Sequence, residues 1–271
     1  MRHRITLKTP EQIGRMRAAG LVVAQTLEAV THAVAPGVST AELDAVAAAT
    51  IRAAGAEPSF LGYQGYPATI CTSVNDRIVH GIPSPTQILQ EGDIISIDAG
   101  AIVDGWHGDS AVTVPVGEVS AERVELIRVC EAALWAGLAA AVPGARLTDI
   151  SHAVESCVRS AGGYGIIEEY VGHGIGTQMH EEPPVPNYGR PGRGPRLVPG
   201  MVLAVEPMIT LASAETVLLD DGWTVITRDG SPAAHTEHTV AVTEDGPVVL
   251  TAVDAGVGRL GPSAGFRSTP S

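Results

Sequence analysis

The sequence repeats its own grammar. Gly92-Asp93-Ile94-Ile95-Ser96-Ile97-Asp98 and Gly200-Met201-Val202-Leu203-Ala204-Val205-Glu206 each end an apolar run on a carboxylate six residues after a glycine, and the second lies 108 positions beyond the first. Helix signals recur at about the same distance. Thr9-Pro10-Glu11-Gln12 provides an N-cap, a proline at the first helical position and a capping-box Gln, ahead of Ile13, Met16, Val23, Leu27 and Val30. Pro36-Gly37 ends that helix, and a second opens at Ser39 with Glu42 three residues on and stops at Gly55. In the second half a helix runs from Ser120 through Leu126 and Leu134, Pro143-Gly144 breaks it, and another carries Ile150 and Val154.

Further on, His107-Gly108-Asp109-Ser110-Ala111-Val112 parallels His235-Thr236-Glu237-His238-Thr239-Val240, the second copy being delayed by an insertion. Each half thus offers two carboxylates on or beside strands. Helices followed by strands, without regular βαβ alternation, predict an α+β fold in which strands of both halves share one core. We therefore expect one domain over residues 1–253, and an Ala/Gly/Ser/Pro-rich tail over 254–271 that lacks a core pattern and is expected to be disordered.

The hydrophobic share, 45% of 271 residues, suffices for a large core. Apolar residues never run uninterrupted for the roughly 18 positions a membrane span needs, and the N-terminus has no signal-peptide pattern, so a cytoplasmic protein is expected. The net charge of −13 argues against a broad nucleic-acid surface. Arg190, Arg193 and Arg196 form a local exception in a Gly/Pro-rich stretch; a solvated loop is the plainer reading, ribosomal RNA contact the other. Three cysteines without CxxC spacing support neither a disulfide framework nor a thiolate metal site.

Asp104-Gly105 is a strong two-residue hairpin signal between Asp98 and Asp109, so the strands fold back and bring these acids directly or diagonally opposite each other. A buried carboxylate pair is expensive unless protonated or neutralised by a cation. One acid at a strand end is usually a solvated cap. The repeat changes that weighing, because Glu206 and Glu237 stand at the matching positions of the second half. Four converging carboxylates suit two divalent ions, and an oxygen-rich site without thiolate suits Mn, Fe(II) or Co, with Zn also compatible. Gly172-His173-Gly174-Ile175-Gly176 supplies an imidazole where the backbone can approach closely; as a phosphate loop it lacks the necessary Lys-Ser/Thr. His80 and His180 form a further pair between the halves, suited to holding an amide or an oxyanion beside the metals. Pro184 stands four residues after His180, so this is no zincin motif.

Together VHGIP, SIDAG, HGDS, GHGIG, MHEEP, VEPM and TEHTV, spread over roughly residues 10 to 250, closely resemble the type I methionine aminopeptidases of the pita-bread fold. That resemblance implies two pseudo-twofold-related halves sharing a curved antiparallel sheet with helices outside. It implies metal ligation by Asp98, Asp109, His173, Glu206 and Glu237, with Glu206 also moving a proton, and catalytic roles for His80 and His180. It implies a methionine pocket in which Tyr63, Tyr66, Cys71 and Trp223 match the family, while Phe60 stands in place of a smaller residue and Met179 in place of a frequent Phe. It also implies two divalent ions (Co, Mn, Fe(II) or Zn), a monovalent-cation site near Asn75, N-terminal Met peptides and nascent chains as substrates, transient ribosome contact, and a monomer. Two rivals stand beside it. A proline-specific peptidase of the same fold would be expected to carry an additional N-terminal domain, and a non-catalytic binding relative would be expected to lack ligands, none of which is missing here.

Overall fold

The computed structural model describes residues 5–261. The first half contributes α1 (Pro10–Ala33) and α2 (Thr40–Ala53), then β1 (Glu57–Pro58), β2 (Ile70–Val74), β3 (Arg77–Val79), β4 (Ile94–Val103) and β5 (Trp106–Pro115). The second contributes α3 (Ala121–Ala139) and α4 (Leu147–Ala161), then β6 (Gly165–Ile166), β7 (Gly172–Gly174), β8 (Glu181–Val185), β9 (Val202–Val205), β10 (Met208–Thr210), β11 (Thr216–Leu218), β12 (Val225–Thr227), β13 (Ala233–His235), β14 (Glu237–Thr243) and β15 (Gly246–Val249), followed by the short α5 (Val257–Leu260).

The helix signals act as read. Thr9 caps α1 and Ser39 caps α2, both as full capping boxes, and Ser120 caps α3. Asp104 and Gly105 both have positive φ, which lets β4 turn directly into β5. Buried side chains of α1 and α2 (Val23, Leu27, Val30, Leu43, Ala47) pack on Ile70, Ile95, Ile97 and Ala99 of β2 and β4. Those of α3 and α4 (Leu126, Leu134, Leu138, Ile150, Val154) pack on Leu203, Val205, Val240 and Val242 of β9 and β14. Each half thus covers its own share of the sheet with its own helix pair.

The central antiparallel sheet runs β1-β4-β5-β14-β9-β7-β8, with β2 beside β4 and β15 beside β14. Its seam is the β5–β14 pair, one strand from each half. The halves are pinned there by hydroxyls: Ser110 Oγ donates to the Glu237 carbonyl, Thr239 Oγ1 to the Asp109 carbonyl, and Thr113 Oγ1 to the His235 carbonyl. Helix α1 crosses β5 where Gly20 meets Gly108. A Cβ on Gly108 would sit 2.7 Å from the Gly20 nitrogen, and one on Gly20 would overlap the Leu250 carbonyl, so side-chain-free backbone is required on both sides.

Part of the expected tail is ordered. Residues 254–261 form a turn and α5, because the Asp254 carboxylate accepts from the Gly256 and Gly258 amides and Leu260 packs against the second-half core. The buried Arg17 guanidinium of α1 holds the preceding chain by donating to the carbonyls of Val249, Leu250, Ala252 and Val253. Residues 262–271, the rest of the expected tail, lie outside the described residues. None of the described helices is long and apolar enough to cross a membrane. Arg190, Arg193 and Arg196 are exposed on the loop before β9; Arg196 donates to the Gly144 carbonyl and Arg146 to that of Gly194.

Candidate metal centre and its pocket

Strand register assembles the acids. Ala111 of β5 is the paired residue of Asp98 on one side and of Glu237 on the other, while Asp109, two residues before Ala111, faces the same way. Asp98 and Asp109 are therefore diagonal neighbours, one of the two placements their hairpin allows. His238 pairs with Val205, so Glu206, the residue after β9, comes level with Glu237. His173 arrives from the other flank of β9, paired with Ala204. Ligand atoms of Asp109, His173 and Glu237 lie within 4.8 Å of one another. His173 Nε2 is 3.5 Å from Glu206 Oε1 and 3.9 Å from Asp109 Oδ2.

A protein without a cation could not tolerate this cluster ionised. Burial raises all four carboxyls: Asp98 to about 7, and Asp109, Glu206 and Glu237 well above the carboxylate range, the last three being raised further by the charge of neighbouring acids in the cluster. Asp98 Oδ1, Asp109 Oδ1 and Glu237 Oε1 are buried without a hydrogen-bond partner. Orphaned carboxylate oxygens facing one another are what a divalent ion would satisfy. The imidazole fits as well. His173 Nδ1 is 2.9 Å from the Gly174 carbonyl, so Nδ1–H donates there and the Nε2 lone pair points at the acids; burial holds the ring's pKa down near 3, leaving it neutral. Five donors of this kind can hold divalent cations in an oxygen-rich, thiolate-free environment.

A cavity of about 280 Å³ opens over the acids and is lined by every residue the sequence singled out for ligation, catalysis or the pocket, together with Gln64. Phe60, Tyr66, Cys71 and Met179 are buried and form an apolar cluster of their own, flanked by Tyr63 and Trp223. Cys71 pairs with Asp98 across β2 and β4; burial and then that carboxyl push its thiol pKa well up, so it serves as a neutral wall. The Tyr66 ring meets Trp223 edge-on, and its single O–H is shared between the Ile70 and Gly81 carbonyls, each 3.1 Å away.

His80 sits just after β3 at φ 58°, an uncommon conformation for a side-chain-bearing residue, and its ring lies edge-on to Tyr170 and Trp223. Burial, then the neighbouring His180, lowers its pKa to about 4. The His180 ring stacks with Tyr63 and lies 4.2 Å from His173, centroid to centroid; burial lowers its pKa also. Both imidazoles are neutral near pH 7 and can donate one N–H each into the cleft.

Three participants escape a reading of the sequence. His235 is buried with an unpartnered Nε2 at 3.9 Å from Glu206 Oε2, and its signal is present in the chain, since the repeat aligns it with His107. Tyr170 packs on His80, and Gln64 lines the mouth; neither belongs to a repeated segment. Asn75 lies elsewhere than the cavity wall. Its amide donates to Asp93, its Oδ1 accepts from Ile94 and Arg123, and its carbonyl accepts from Ala233.

Residues 14–244 match metallopeptidase family M24. The chain is 56% identical over 245 residues to methionine aminopeptidase 1 of Mycobacterium tuberculosis (strain CDC 1551 / Oshkosh), covering 89% of this chain and 92% of that one. It is 50% identical over 249 residues to methionine aminopeptidase 1 of Bacillus subtilis (strain 168), covering 92% and 100%. The solved structure of a methionine aminopeptidase from Thermotoga maritima superposes with a TM-score of 0.90 at 42% identity, over 92% of this chain and 99% of that chain. Prolidase from Pyrococcus furiosus shares the fold at a TM-score of 0.74 and 24% identity, over 91% of this chain and 65% of that chain.

Proposed function

The chain belongs to metallopeptidase family M24 and is a metal-dependent hydrolase, and we propose that it removes the N-terminal methionine of peptides and nascent proteins, preferring a small second residue, through the centre described above. The carrying observation is the juxtaposition of four carboxyls, buried or nearly so, and a hydrogen-bonded imidazole with the apolar wall formed by Phe60, Tyr66, Cys71 and Met179.

Asp98, Asp109, His173, Glu206 and Glu237 would hold two divalent ions, with Mn, Co, Fe(II) and Zn all compatible with the donors. When bound, such ions supply Lewis acidity towards the amide carbonyl and an acidified water. The protein's residues do the rest. Phe60, Tyr66, Cys71, Met179 and Trp223 take the methionine side chain and exclude water from it. Glu206 would accept the proton of the attacking water and pass it to the leaving amine, a role supported by its side chain being 13% exposed, where that of Asp109 is 4% exposed. His80 and His180, neutral and facing the same space, donate N–H to the scissile amide and to the oxyanion that replaces its carbonyl. Exposure of Arg190, Arg193 and Arg196 supports a transient contact with the ribosome, in keeping with a soluble cytoplasmic monomer that works on nascent chains.

The test is metal-dependent release of methionine from Met-Ala-Ser. Thoroughly chelated protein is inactive and regains turnover on addition of Mn or Co, Ala-Pro peptides remain uncleaved, and Glu206→Gln abolishes turnover while leaving the fold intact. Full activity in excess chelator, or in the Glu206 variant, overturns the reading.

A further inference from the structure

The sequence contains sixteen arginines and one lysine, and that lysine is buried. Lys8 precedes α1; its side chain is 1% exposed, and its Nζ lies 2.7 Å from Glu181 Oε2, whose own side chain is 11% exposed. Nζ also donates to the Thr6 carbonyl, and the Lys8 amide donates to the Gly200 carbonyl, which ties the segment to the turn before β9. The other carboxylate oxygen, Oε1, accepts from the Gln178 amide. The chain between Gln178 and Glu181 is an irregular turn, and it carries Met179 in the pocket wall and His180 beside His173. β7 and β8 are paired at Gly174 and Glu181, on either side of the turn, and the Gly176 amide donates to the Gln178 carbonyl at its start.

We propose that Lys8 and Glu181 are positioning residues for His180: the ion pair clamps the 178–181 turn from beneath and thereby fixes where the imidazole reaches into the cleft. This rests on the reading of the cleft as the aminopeptidase site. The packing explains why an ammonium stands here while every other cation of the chain is a guanidinium. A Cβ on Gly176 would overlap the Glu181 carboxylate and come within 2.7 Å of Lys8 Cε, so the pair occupies the space beneath a side-chain-free backbone, where a compact point charge fits and a planar fork does not. Tyr63 holds the same imidazole directly, its hydroxyl 2.8 Å from Nδ1. The ring is thus bonded by Tyr63 and its turn by Lys8, both more than a hundred positions away in sequence.

A positioning residue acts only through the group it positions. Lys8→Met and Lys8→Arg should each lower kcat/KM for Met-Ala-Ser about 10- to 100-fold, the range that a sub-ångström to ångström misplacement of a reacting group produces. Mn affinity measured by calorimetry should stay within about twofold, because neither Lys8 nor Glu181 is hydrogen-bonded to His173 or to the four acids. In a His180→Ala background the Lys8 substitutions should cost nothing further. Because the chain has one lysine, selective ¹⁵N-lysine labelling gives a single side-chain ammonium resonance. In the wild-type protein it should show the slow proton exchange of a buried ion pair, and it should lose that protection in Glu181→Gln. Undiminished kcat/KM in both Lys8 variants of an active enzyme, or multiplicative loss in the His180→Ala background, overturns the positioning role. Absence of methionine release from the metal-loaded wild type overturns the underlying activity instead.

Discussion

The Tyr63 hydroxyl lies 2.8 Å from Nδ1 of His180, with the two rings stacked at 5.4 Å between centroids. An O–H donated to Nδ1 leaves the neutral imidazole with its proton on Nε2, the tautomer that can donate to a substrate oxygen. Tyr63→Phe keeps the stacking and removes that donor. We expect kcat/KM for Met-Ala-Ser to fall about 3- to 10-fold, the value of one ordinary hydrogen bond, with thermal stability unchanged. A variant as active as the wild type would show that the tautomer is set by something other than Tyr63.

The acid cluster sets stability and function against each other once metal is removed. All four carboxyls have folded-state pKa values above their unfolded ones, Asp98 at about 7. A raised folded pKa means the folded form holds protons the unfolded form has released. That stabilisation is complete below about pH 4 and is lost progressively above it, the Asp98 share being gone once pH has risen through about 7. The chelated protein should therefore lose Tm between pH 5 and pH 8, by about 5 °C or more, and regain it when Mn is added. Asp98→Asn should raise the Tm of the chelated form at pH 8 while abolishing Mn-dependent turnover. An Asn variant less stable than its parent without metal would contradict the repulsion argument.

What local pattern encodes is legible in the amino-acid sequence. Capping boxes at Thr9 and Ser39, the Asp104-Gly105 hairpin and the Gly-to-carboxylate segments ending at Asp98 and Glu206 are signals confined to a few neighbouring residues. The duplication turns such local signals into a long-range one, because matching positions in two halves must meet across a seam. Contacts without a counterpart in the other half leave no such trace. Lys8 with Glu181, Tyr63 with His180, and Arg17 with the carbonyls of Val249, Leu250, Ala252 and Val253 join positions whose separation has no period. The order of residues 254–261 is hidden for the same reason: Leu260 packs on the second-half core and Arg17 of α1 holds the chain just before this stretch, whereas composition alone reads as tail.

Arg17 makes the C-terminal segment part of the domain. Its guanidinium is the donor for the carbonyls of Val249, Leu250, Ala252 and Val253, and the residue is 9% exposed. Arg17→Met keeps much of the side-chain volume but leaves several buried acceptors unpaired. We expect a loss of about 3 kcal/mol, read as a lower urea midpoint at unchanged slope. Gly20→Ala, one turn along the same helix, should cost as much by a different route, since its Cβ meets the Leu250 carbonyl. Either variant matching the wild-type midpoint would show that α1 does not depend on this seat.

The pocket wall predicts which side chains the enzyme accepts. Phe60, Tyr66, Cys71 and Met179 enclose the methionine site, and Cys71 is held neutral, so the wall offers shape and polarizability with no charged or strongly donating group aimed at the thioether. Apolar pockets separate near-isosteres by about 1–3 kcal/mol per methylene, and norleucine differs from methionine only by a methylene in place of sulfur. Nle-Ala-Ser should therefore be cleaved within about tenfold of Met-Ala-Ser, whereas a charged first residue would lose its hydration without a partner and should go uncleaved. Met179→Ala enlarges the wall on the side of the turn that also carries His180. It should raise the kcat/KM of a bulkier first residue such as phenylalanine relative to methionine by about tenfold, while methionine itself turns over more slowly for want of contacts. If the Met179 variant keeps the wild-type ratio of phenylalanine to methionine cleavage, Met179 does not limit the pocket, and the boundary must lie with Phe60 or Trp223.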